Sequence, residues 1–153
     1  MILVVEDEPE FQAQISKWIT RACRSLSSLS TPFDISSQLR IVLTQEDIKM
    51  WVERCAALDD PLLLIIDLEI DMQGIGPTTV YSITQTLWRD TSPYTTQVPI
   101  IVYTGGYAME NPAPRDRGWR VAKNPPAGKT ASEQMMEPLT KALEAVLATW
   151  HKL

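Results

Sequence analysis

An unbroken aliphatic run, Leu62-Leu63-Leu64-Ile65-Ile66, ends abruptly in Asp67-Leu68-Glu69. Pro61 precedes it, and Gly74, Gly76 and Pro77 punctuate the residues beyond it, so its length is that of a strand rather than a helix. A strand apolar at every position is buried on both faces, which calls for a parallel sheet with helices on either side. An acid at the carboxyl end of such a strand stands at the rim of an open α/β sheet, where these folds place their ligands. Alone, Asp67 reads as a strand end that solvates its loop. Three further strand ends change the balance.

Residues 2–5 form a second β-rich run, ending in Glu6-Asp7. Pro9 suits a first helical position with acids ahead of it. Phe11, Ile15, Trp18, Ile19 and Ala22 then recur at helical spacing, predicting a helix from residue 9 to about 25. Residues 25–37, Ser-rich and containing Thr31-Pro32, read as a long surface connection. A strand over 39–43 and a helix over 46–58 come next, the latter with Ile48, Trp51, Val52, Cys55 and Ala56 on its apolar face. Beyond the central strand, 79–88 has a helical pattern and 91–97 is polar loop. Residues 99–103 are a strand ending in Thr104-Gly105-Gly106, and 119–122 a short strand ending in Lys123. A last helix spans 138–150, with Leu139, Ala142, Leu143, Val146, Leu147 and Trp150 on one stripe and Pro138 in its first turn. This alternation implies one α/β domain over 1–153, with a five-stranded parallel sheet joined by right-handed crossovers and covered on both faces.

Composition closes off several function classes. With 44% hydrophobic and 22% charged residues the chain supports a real core. Its net charge of −5 disfavours a nucleic-acid face, and the densest basic stretch, 115–120, itself contains Asp116. Cys23, Cys55 and the single His151 have no spacing suited to a disulfide framework or a zinc site. No basic leader, cleavage pattern or membrane-length apolar run is visible, so a cytoplasmic location without membrane contact is expected.

In a parallel sheet all carboxyl ends share one edge, so Glu6-Asp7, Asp67, Thr104 and Lys123 converge there. Singly, they read as helix-start acids, a strand end, a tight turn and a solvated lysine. Together they place three carboxylates at close quarters, which repel unless protonated or held by a cation. With neither sulfur nor imidazole nearby, the natural cation is a hard, oxygen-liganded one such as Mg²⁺. A lysine and a hydroxyl beside a metal-bound carboxylate are what a phosphoryl group needs.

At these positions the chain resembles a response-regulator receiver domain of two-component signalling. The matching motifs are Ile2-Leu3-Val4-Val5-Glu6-Asp7-Glu8, Leu64-Ile65-Ile66-Asp67-Leu68, Val98-Pro99-Ile100-Ile101-Val102-Tyr103-Thr104 and Val121-Ala122-Lys123, in order along the whole chain. The resemblance implies a flavodoxin-like, doubly wound sheet of order 2-1-3-4-5. It further implies Asp67 as phosphoacceptor from a histidine kinase or phosphotransfer protein, with Thr104 and Lys123 contacting the phosphoryl group. Glu6, Asp7, Asp67 and the main-chain carbonyl of Glu69 would hold Mg²⁺. The signal would pass to a downstream protein by protein–protein contact, without enzymatic turnover.

Departures from the family pattern define the alternatives. Asp71 replaces the usual proline four residues after the acceptor, and Asn124 intervenes between Lys123 and Pro125-Pro126. Arg120 stands where an aromatic usually lies, beside Trp119. Over 105–118, where such domains have their fourth helix, Gly105, Gly106, Pro112, Pro114 and Gly118 predict that helix to be short or absent. A pseudo-receiver serving as an unphosphorylated interaction module is therefore the second reading. A phosphatase resembling the haloacid-dehalogenase family is the third, although it wants an Asp where Glu69 stands. A flavin-binding protein lacks its phosphate-cradling loop here. Gly128-Lys129-Thr130 resembles the tail of a phosphate loop, but Lys123 occupies the place of its first glycine.

Overall fold

The computed structural model describes residues 1–26, 35–58, 60–67, 99–104, 118–125 and 127–150. Five strands, β1 (Ile2–Val5), β2 (Leu39–Ile41), β3 (Leu63–Ile66), β4 (Ile100–Thr104) and β5 (Gly118–Ala122), form one sheet. Its order is β2-β1-β3-β4-β5, and every neighbouring pair is parallel. This is the doubly wound α/β architecture expected from the alternating pattern.

Side-chain alternation along the strands explains why the sheet is apolar throughout. Leu3, Val5, Leu64, Ile66, Ile100 and Val102 share one face with Ile48, Val52, Cys55 and Ala56 of helix α3 (Gln45–Ala57). Ile2, Val4, Leu63, Ile65, Ile101, Tyr103 and Val121 share the other with helix α1 (Pro9–Ser25) and the C-terminal helix α4 (Ala131–Trp150). All four β3 side chains are fully buried. Each such aliphatic residue contributes roughly 1.5–3 kcal/mol by leaving water.

Helix α1 has the expected bounds, with Pro9 at its start. Helix α3 begins one residue early because the Thr44 hydroxyl accepts from the Asp47 N–H at 3.1 Å and so caps it. Two expectations need correction. The surface connection over 25–37 gives way at its end to a single helical turn, α2 (Ile35–Gln38), too short for any periodicity to announce it. The last helix starts at Ala131, not Pro138. Thr130 and Glu133 form a reciprocal capping box: the Glu133 N–H donates to Thr130 Oγ1 at 3.1 Å, and the Thr130 N–H to Glu133 Oε2 at 3.0 Å. Met135 lies one turn before Leu139 and is buried on the same stripe, so Pro138 is an interior residue of α4. Gly128-Lys129-Thr130 is the turn into this helix, with Gly128 at φ 90°. The expected helix at 79–88, loop at 91–97 and absent fourth helix at 105–117 lie outside the described residues, as do Glu69 and Asp71. Among the described residues, no helix is long and apolar enough to cross a membrane.

Candidate functional site

Register brings the strand ends together. Val5 pairs with Ile66, and the Asp67 N–H donates to the Val5 carbonyl at 2.9 Å, so Glu6 and Asp67 leave adjacent strands side by side. Thr104 pairs with Ala122 and thus stands beside the residue preceding Lys123; of Thr104 only the backbone is described. Strand parity does the rest. Glu6 continues the alternation of Ile2 and Val4, Asp67 that of Leu63 and Ile65, and Lys123 that of Val121, so all three share the face covered by α1 and α4.

Lys123 is the hub. Its Nζ donates to Asp67 Oδ2 at 2.8 Å, lies 2.8 Å from Glu6 Oε2 and stands 3.5 Å from Glu8 Oε1. The side chains of Lys123, Glu6 and Asp67 are 5%, 1% and 3% exposed. The contact with Glu6 is ionic rather than a directed hydrogen bond, since Glu6 Oε2 has no hydrogen-bond partner among the described residues. Its other oxygen, Oε1, accepts from the Glu8 N–H at 3.0 Å. Burial raises the Glu6 carboxyl above its ordinary range, only partly offset by Lys123 and the Glu8 N–H. For Lys123, burial works against the ammonium, but Asp67 and Glu6 outweigh it and hold its pKa above the ordinary lysine range.

Four carboxylates, Glu6, Asp7, Glu8 and Asp67, offer ligand atoms within 4.8 Å of one another, with Asp7 and Glu8 exposed and the other two buried. Strand-end position alone points to three of these. Glu8 is the addition, its signal being simply the third acid of Glu6-Asp7-Glu8. Helix α1 also enters the site unannounced. Gln12 Nε2 donates to the Glu6 carbonyl at 2.7 Å, fixing the first turn over the end of β1. Phe11 then lies with its ring centroid 4.1 Å from Lys123 Nζ, and the Tyr103 ring lies 5.7 Å away. Burial pushes the Tyr103 phenol up to about 12.

Such an arrangement can hold a carboxylate at the carboxyl end of the central strand, keep an ammonium against it and offer further acidic oxygens to a hard cation. Comparison with protein-family models, with curated proteins and with solved structures gives no match.

Proposed function

We propose that this chain is a phosphoacceptor receiver domain of a two-component or phosphorelay system, acting in the cytoplasm. The observation that carries the reading is the placement of Asp67. It ends the buried central strand, hydrogen-bonded to Lys123 and clustered with the acids that end β1. An Asp67 carboxylate oxygen would attack the phosphorus of a phosphohistidine on a kinase or phosphotransfer protein. The new O–P bond makes an acyl phosphate, while the P–N bond breaks and the departing imidazole takes a proton. Lys123 neutralises phosphoryl oxygens as they approach, and the Thr104 hydroxyl would donate to one of them.

The donor set fits Mg²⁺, being all oxygen and partly open to solvent, which lets the ion keep water ligands. Asp7 and Asp67 would hold it directly, Glu6 through water because its oxygens already face Lys123 and the Glu8 N–H. The family resemblance would add the carbonyl of Glu69, which lies outside the described residues. When bound there, Mg²⁺ supplies neutralisation of the transferring phosphoryl charge. Phosphorylation would add a doubly charged group beside Lys123 and bias the packing that a downstream protein reads.

The pseudo-receiver reading draws on one observation: Lys123 already bridges both buried acids at 2.8 Å, so they are held together without an added cation. Intact mass after incubation with acetyl phosphate separates the two. A receiver gives a Mg²⁺-dependent phosphoryl adduct in the wild type and none in Asp67→Asn. An interaction module gives none in either, with no Mg²⁺ binding by titration.

A further inference from the structure

The lysine at this site is long, flexible and surrounded by acids. Charge alone does not fix where its ammonium stands among Glu6, Asp67 and Glu8. A ring face does. Phe11, in the first turns of α1, lies 4.1 Å from Nζ, and the negative face of an aromatic ring attracts a cation. The ring is itself held edge-on to Tyr103, at 5.8 Å and 78°. Tyr103 in turn meets Trp18 edge-on at 5.5 Å and 85°. Tyr103 is fully buried and Trp18 nearly so, and the half-buried Phe11 packs against the core they belong to. The Gln12 bond to the Glu6 carbonyl pins the same turn of α1 to the end of β1.

We propose that Phe11 is a positioning residue, its ring face seating the Lys123 ammonium against Asp67 and tying that seat to α1 through Tyr103 and Trp18. Its effect on phosphoryl uptake rests on the receiver reading; its effect on Lys123 does not.

The test uses the full chain with isotope-labelled lysine. In the wild type, the Lys123 ε-methylene protons should be shifted upfield by the ring and show nuclear Overhauser contacts to Phe11 ring protons. Phe11→Leu, similar in volume but without a ring, should return these protons to the ordinary lysine position. Phe11→Tyr should restore the shift. Absence of the Overhauser contacts in the wild type, which needs no variant to fold, would overturn the inference, as would a Lys123 signal unmoved by Phe11→Leu. Acetyl phosphate uptake by Phe11→Leu should slow roughly 2- to 30-fold, the range such a contact is worth, with recovery in Phe11→Tyr. A wild type that takes no phosphoryl group sinks the receiver reading and leaves the lysine signal to judge Phe11. A phosphorylated wild type with unchanged uptake in Phe11→Leu sinks the positioning role.

Discussion

Replacing Lys123 with Met keeps most of the side chain's volume and removes only its charge. In the folded protein one ammonium stands 2.8 Å from two carboxylates, none of the three side chains more than 5% exposed. Without it Glu6 and Asp67 face each other in a nearly dry site. Breaking a buried pair from one side costs about 3–5 kcal/mol, because the remaining charge is left uncompensated. The variant can escape by protonating one acid. At pH 7 that route costs roughly 3.7 kcal/mol for a carboxylate of ordinary pKa, at about 1.36 kcal/mol per pH unit. Both routes give the same size of loss. For a chain of this length it lowers the melting temperature by roughly 6–20 °C. At pH 5 protonation costs only about 1 kcal/mol, so the deficit shrinks. Urea unfolding of wild type and Lys123→Met at both pH values measures it. A deficit below about 1 kcal/mol at pH 7, or one equal at both pH values, would show that Lys123 does not hold these acids together.

Two further outcomes rest on single groups. Tyr103 is fully buried, and its hydroxyl has no hydrogen-bond partner among the described residues, so Tyr103→Phe should be neutral or stabilise by about 1 kcal/mol in the same unfolding experiment. Because burial raises the folded-state phenol to about 12, the folded state is unaffected by this group below the ordinary tyrosine range, near 10, and loses stability as pH climbs from there towards 12. Tyr103→Phe should remove that part of the alkaline loss, which unfolding curves at about pH 9 and 11 would reveal. Thr130→Ala breaks the capping box and should cost about 1 kcal/mol, whereas Pro138→Ala should stabilise, by up to about 3 kcal/mol, since Pro138 is an interior residue of α4 that lacks a helical N–H. The reverse ranking by thermal melts would restore Pro138 as the helix start.

The sheet was legible because burial on both faces leaves little else for Leu62-Leu63-Leu64-Ile65-Ile66 to be. Parity along those strands also carries Glu6, Asp67 and Lys123 to a common face, which is why the site could be assembled from strand ends alone. What escaped the sequence depended on helix entry. Phe11 fits the apolar spacing of α1 and reads as core; only the way Gln12 fastens the first turn to Glu6 brings its ring over Lys123. Pro138 misled because proline favours first turns, while the stronger local signal, Thr130 with Glu133 three residues on, lay just upstream. The one-turn helix α2 has too few residues for a period to appear.

Under the proposed function, Asp67 accepts a phosphoryl group as an acyl phosphate. Borohydride reduction of the acetyl phosphate-treated protein, with peptide mass mapping of the product, tests it at the residue. The predicted result is conversion of residue 67 alone to homoserine, and only where Mg²⁺ was present. An unreduced Asp67 beside a phosphoryl group on a serine, a threonine or His151 would contradict it.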